Sequence, residues 1–107
     1  MNAGKPMGEM TGKQKRFLRS RGQPLRPAVL LGKAGLSPGT TQAIRDALQS
    51  AELVKVRLPG RLGGARRQWV ESLARDVGAE CVGLVGRSAL LYAPNPQLPP
   101  HQRIELP

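Results

Sequence analysis

The sequence has one cysteine, Cys81, and one histidine, His101, too few for an internal disulfide or a Cys/His zinc site. A reducing cytoplasm is the expected compartment. Met1 to Lys15 is polar and basic and has no apolar core, which argues against a secretory signal. No apolar run approaches the ~20 residues of a membrane-spanning helix, and no basic helix carries a broad face of large apolar side chains. No membrane partner is therefore expected. Aromatics are limited to Phe17, Trp69 and Tyr92. The seven carboxylates are scattered, and no nucleophile stands beside a base. The composition predicts neither an enzyme nor a cofactor or metal site.

Positive charge is what the chain has in abundance. Seventeen Lys and Arg against seven Asp and Glu leave a net charge of +10, and the isoelectric point is near 11.4. A field of that strength favours a polyanion, and with membranes set aside nucleic acid is the main candidate. A cationic surface kept only for solubility is the plainer alternative, but acidic residues serve that purpose better. The 107 residues suffice for one domain with short ends, and a monomer is expected. An apolar content of 39% with 13 Gly and 10 Pro implies that part of the chain is loop or tail.

Residues 1–10 show no periodicity and read as a lead-in. From Thr11 the segment to Gly22 predicts a short basic helix with Phe17 and Leu18 inward. After Pro24 and Pro27, the run Ala28-Val29-Leu30-Leu31 predicts a strand buried on both faces. Ser37 and Pro38 suit a helix start, and Ala43, Ile44, Ala47, Leu48 and Ala51 form one apolar stripe of a helix from about Pro38 to Ser50. In Leu53 to Leu58, Val54, Val56 and Leu58 alternate with Lys55 and Arg57, the pattern of a half-buried strand. A Gly-rich loop, Pro59 to Gly64, precedes a third helix over about Ala65 to Val77, whose stripe is Trp69, Val70, Leu73, Ala74 and Val77. Ala79 to Val85 and Ser88 to Tyr92 predict two strands joined by a Gly86-Arg87 turn. Five prolines among residues 94–107 predict an extended tail without regular structure. The domain is thus expected over 11–93 and the tail over 94–107. Two strand-helix-strand crossovers imply a mixed sheet with helices against it, although strand order does not follow.

The segment Gly32-Lys33-Ala34-Gly35 lies between a strand and a helix N-terminus. Two glycines let backbone approach a ligand, and the helix dipole favours a phosphate there, with Lys33 adding a cation. A GxxG loop of this kind clamps RNA backbone in KH domains. A structural turn would show the same pattern. Arg66 and Arg67 fall in the first turn of the third helix, where cations oppose the macrodipole, so a phosphate partner explains them better than local stability does. Arg61 points the same way. Lys13, Lys15, Arg16 and Arg19 make the first helix basic, and Lys55 and Arg57 add charge on a strand. Each alone also fits a solvated face. With Phe17 and Trp69 on apolar stripes, few aromatics remain to stack bases, so backbone and shape of structured RNA are the expected targets. Cys81 reads as a small buried hydrophobe and His101 as a tail residue.

These residues together carry a resemblance. The segments Lys13-Gln14-Lys15-Arg16-Phe17-Leu18, Pro24-Leu25-Arg26-Pro27, Val29 to Leu36, Glu52-Leu53-Val54-Lys55-Val56, Val77-Gly78-Ala79 and Val85 to Tyr92 resemble the CRM domain, the chloroplast RNA splicing and ribosome maturation family, in its stand-alone bacterial YhbY-type form. The resemblance runs from about Thr11 to Tyr92. It implies a two-layer α/β fold, four mixed strands with three helices, similar to the C-terminal domain of translation initiation factor three. It also implies association with precursors of the large ribosomal subunit, with Gly32, Lys33, Ala34 and Gly35 as the RNA-contacting loop. Pro59 to Arg67 departs from the bacterial pattern, being richer in Gly and Arg and lacking acidic residues, so its contacts do not carry over. The leading reading is an assembly factor bound to large-subunit ribosomal RNA. A constitutive ribosome-associated protein and a DNA-binding regulator are the alternatives. The last is weakened because a strand separates each helix from the next, unlike a helix-turn-helix.

Overall fold

The computed structural model describes residues 10–32, 35–60 and 62–107. Helix α1 (Gly12–Gly22) starts at Thr11, whose hydroxyl accepts from the Gln14 N–H while the Gln14 side chain accepts from the Thr11 N–H. This reciprocal pairing satisfies two donors that the first turn would otherwise leave open. Strand β1 (Pro27–Leu30), helix α2 (Pro38–Ala51) and strand β2 (Leu53–Arg57) follow. Ser37 and Thr40 repeat the capping box at α2, with Pro38 in its first turn. A short 3-10 turn (Gly63–Ala65) leads into α3 (Arg66–Val77), and β3 (Glu80–Val85) and β4 (Ser88–Tyr92) form the expected hairpin. Three helices and a four-stranded mixed sheet are present, in the element order that the patterning predicts.

The strands lie in the order β1-β2-β4-β3. β1 runs parallel to β2, and the other two neighbouring pairs are antiparallel. On one face, Val54, Val56, Leu58, Ala89 and Leu91 pack with Ile44 and Leu48 of α2 and Val70, Leu73, Ala74 and Val77 of α3. On the other, Leu53, Val82, Leu90 and Tyr92 pack with Leu18 of α1. The helices therefore cover both faces of the sheet, and the expected two layers become three. Successive residues of β2 and β4, such as Leu53-Val54 and Leu90-Leu91-Tyr92, are all apolar, so both faces need cover. Helix α1 approaches closely at its last residue: a Cβ on Gly22 would stand 2.6 Å from Leu90 Cδ2. Phe17, expected inward, is only half-buried, and the Arg21 guanidinium lies 5.6 Å from its ring centroid.

Two further expectations are overturned. β1 is an edge strand with alternating burial, not a strand buried on both faces, and Leu30 is 68% exposed. α1 lies over Leu53, Leu90 and Tyr92 and leaves the β1 side of that face uncovered. A run of four apolar residues cannot by itself distinguish the two cases. The segment from Pro94 onward is not simply extended, since it includes a 3-10 turn (Pro100–Gln102) and packs Ile104 and Leu106 against the α1-side core. Prolines restrict the unfolded chain as well as the folded one, so ordering such a tail costs less entropy than its composition suggests.

The anchor of that tail is Glu52, which follows α2 at φ 65 and is fully buried. Its carboxylate accepts from the Asn95 N–H at 2.5 Å and the Ile104 N–H at 2.6 Å, and Arg103 Nε stands 3.7 Å away. Gln14 Nε2 also donates to the Pro107 carbonyl at 3.2 Å, tying α1 to the same segment. Among the described residues no helix is long and apolar enough to cross a membrane.

Candidate nucleic-acid interface

Parallel pairing of β1 and β2 puts both strand-to-helix connections, 31–37 and 58–65, at one end of the sheet. Antiparallel pairing of β4 with β2 brings turn 86–87 to the same end. Residues 31–41, 57–68 and 85–89 contain six cations, Lys33, Arg57, Arg61, Arg66, Arg67 and Arg87, and no carboxylate. At the opposite end, 50–53, 76–80 and 93–107 contain four carboxylates, Glu52, Asp76, Glu80 and Glu105, and one arginine, Arg103. Carboxylates are thus present at one end of the strands and absent from these segments at the other. The N-termini of α2 and α3, with no acidic residue in either first turn, direct their positive dipole ends to the cationic side. α3 has no side-chain cap there.

Of the GxxG loop, Lys33 and Ala34 lie outside the described residues, as does Arg61 of the following loop. The Gly35 N–H donates to the Gly32 carbonyl at 2.9 Å, closing a turn. Gly35 stands at φ +73, a conformation that favours glycine, with its backbone beside half-buried Trp69. Gly32 is different, because a Cβ there would meet nothing within 4 Å among the described residues. Local packing does not require glycine at 32, whereas close approach by a ligand would.

The remaining cations divide. Arg57 and Arg67 are exposed. Arg66 is half-buried and donates to the Gly86 carbonyl, which ties α3 to the β3-β4 turn and accounts for an arginine that local stability did not explain. Arg87, which the sequence showed only as a turn residue, joins the group. Its carbonyl accepts from the Leu58 N–H at 2.7 Å, and its guanidinium lies against Gly60. Nothing in the periodicity of β3 or β4 could have revealed this, because it depends on β4 pairing with β2.

Lys13, Lys15, Arg16 and Arg19 do not join that end. Lys15 pairs with Glu80 at 3.4 Å, and Glu80 begins β3 opposite Tyr92. From Glu80 to Val85 a strand advances roughly 16 Å. Arg19 lies along Gly83 and donates to the Val82 carbonyl at 3.1 Å, while Lys13 and Arg16 are exposed. They form a second basic patch. Lys55, half-buried, donates to the Gln23 carbonyl at 2.9 Å and has a structural task.

No group of three or more His, Cys, Asp and Glu suited to a metal occurs among the described residues. Cys81 is half-buried. Burial pushes its thiol pKa up, so it is a poor nucleophile at neutral pH.

The sequence pattern of the CRS1 / YhbY (CRM) domain matches residues 10–93. Probable RNA-binding protein YqeI of Bacillus subtilis is 33% identical over 98 residues, covering 92% of this chain and 99% of the relative. A Haemophilus influenzae protein named RNA-binding protein is 32% identical over 101 residues, covering 94% and 98%. The solution structure of SAV1595 from Staphylococcus aureus superposes with a TM-score of 0.74 at 30% identity, over 92% of this chain and 99% of that one.

Proposed function

From the premise that this chain belongs to the CRS1 / YhbY (CRM) domain family, we propose that it is a monomeric, non-enzymatic RNA-binding protein of the cytoplasm. Its target is structured ribosomal RNA of the large-subunit precursor, and it acts as an assembly factor. The observation that carries this reading is the carboxylate-free end of the sheet, where four described cations, Arg57, Arg66, Arg67 and Arg87, stand with two helix N-termini. Phosphates docked there meet cations and helix dipoles and no opposing charge. The relatives named as RNA-binding proteins support the same ligand class. Gly32, Lys33, Ala34 and Gly35 with Arg57, Arg61, Arg66, Arg67 and Arg87 form the primary contact. Lys13, Lys15, Arg16 and Arg19 form a secondary one, and Lys55 supports the sheet between them.

Sedimentation of a cell lysate, probing each fraction for the protein, tests the assembly role. It is expected with precursors of the large subunit and not with mature ribosomes. Uniform recovery in mature ribosomes would make it a constitutive component instead, and recovery only at the top of the gradient would remove the ribosomal target.

A paired titration tests the loop. Lys33→Asp is expected to weaken binding to a large-subunit RNA fragment several-fold more than Arg75→Asp, since the two change net charge equally but Arg75 lies in the last turn of α3, at the other end. Arg103 would be a poor control, because it stands beside Glu52. Equal losses would reduce the loop to an ordinary turn.

A further inference from the structure

The sheet face that α1 covers is bare at the cationic end. Pairing aligns Leu30 of β1 with Arg57 of β2, Arg57 with Ser88 of β4, and Ser88 with Val85 of β3. Side chains in such a row share one face, here the face of Leu53, Leu90 and Tyr92. α1 covers the next row, where Gly22 sits on Leu90 and Arg19 on Gly83, and stops there. Beyond it Leu30 is 68% exposed and Val85 52% exposed, with the exposed Arg57 and the half-buried Ser88 between them. The row spans three strand spacings, roughly 14 Å. It ends two residues from Gly32 along β1 and beside Arg87 at the hairpin turn.

Exposed aliphatic side chains in one row with a guanidinium make a poor solvated surface and a good support for flat, weakly hydrated rings. We propose that this row holds unpaired RNA bases, one stacked on the Arg57 guanidinium beside Leu30 and a neighbour packed against Val85, while their flanking phosphates lie on the adjoining cationic end. The inference rests on the RNA-binding reading above and refines its substrate: structured RNA with a bulged or unpaired nucleotide beside a helix. Bases stack on arginine planes as well as on aromatic rings, and in RNA-recognition motifs a four-stranded sheet face holds two or three of them. The scarcity of aromatics therefore does not restrict the protein to backbone recognition. Charge selects the occupant, since any partner covering Leu30 and Val85 must also lie against Arg57 and Arg87, with no carboxylate among residues 85–89 or 57–68.

The test uses the full chain and two RNA hairpins of one stem, one fully paired and one with a three-nucleotide bulge. Leu30→Thr with Val85→Thr removes the apolar supports without changing charge, and threonine suits exposed strand positions. The wild type is expected to prefer the bulged hairpin by roughly tenfold, toward the lower end of what base stacking supplies. The double variant is expected to lose that preference while keeping its affinity for the paired hairpin and its salt dependence. A variant that retains the preference overturns the proposal, as does one that loses affinity equally for both hairpins. A wild type that binds both hairpins equally overturns it while leaving RNA binding intact, whereas failure to bind either hairpin sinks the RNA-binding reading itself. Sedimentation equilibrium of the wild type is expected to give a monomer. A dimer that the substitutions dissociate would assign the face to a second copy and overturn the proposal.

Discussion

Glu52→Ala is expected to lower unfolding free energy by about 3 kcal/mol and to release the C-terminal segment to proteases. The carboxylate is fully buried and accepts two backbone N–H bonds from the tail, at Asn95 and Ile104. Hydrogen bonds to a charged group contribute about 1.5–3 kcal/mol each. Lifting the tail would return its donors to water and limit the loss, at the expense of exposing the Ile104 and Leu106 contacts with the α1-side core. The ion pair to Arg103, 3.7 Å long with its arginine 40% exposed, adds little.

The backbone supplies an internal control. Glu52 stands at φ 65, where a residue with a Cβ is disfavoured by roughly 1 kcal/mol relative to glycine. Glu52→Gly is therefore expected to be less damaging than Glu52→Ala, although both lose the anchor. Glu52→Gln keeps the shape but replaces one acceptor by an amide donor facing a backbone N–H, so it is expected to fall near the alanine variant. Urea midpoints of the three variants with limited proteolysis of the tail make the measurement. Wild-type midpoints for both alanine and glycine variants would show that the buried carboxylate contributes nothing to the fold.

RNA affinity is expected to fall roughly fifty- to hundred-and-fiftyfold between 50 and 200 mM salt for a short hairpin making four phosphate contacts. Each contact releases counterions and contributes about 0.7–0.9 to the slope of log K against log salt. The described cations Arg57, Arg66, Arg67 and Arg87 can supply that number at one end of the sheet. The α1 patch lies on the other side of the sheet from α3, with Lys15 paired to Glu80 and Lys13 and Arg16 exposed. A short hairpin docked at the cationic end gains little from Lys13 and Arg16, whereas a longer RNA reaching both patches is expected to show a steeper slope. Titrations of both RNAs at several salt concentrations make the comparison. A flat dependence would remove the electrostatic basis of the proposed function, and equal slopes would mean that the two patches do not act as separate phosphate sites.

Much was legible along the chain. The stripes Ile44-Leu48 and Val70-Leu73-Ala74-Val77, the alternation of Val54, Val56 and Leu58, and the Ser37-Pro38 helix start are local signals. Local backbone geometry alone therefore suffices for the element order and the face that each helix buries. The turn at Gly32 to Gly35 was legible for the same reason. Other features follow from neighbours remote in the chain. Leu30 is exposed because α1 ends its cover one row short, and β1 lies at an edge only because β4 occupies the other side of β2. The tail is held because Glu52, some fifty residues earlier than Ile104, turns its carboxylate inward. Arg87 joins Arg66 while Lys15 is carried to the opposite end, a division that strand pairing makes and composition does not contain. The sequence by itself determined the elements, the net charge and the chemistry available. Tertiary structure decided which cations stand together, because hydrophobic periodicity is a property of each segment whereas strand order and helix placement set which loops share an end.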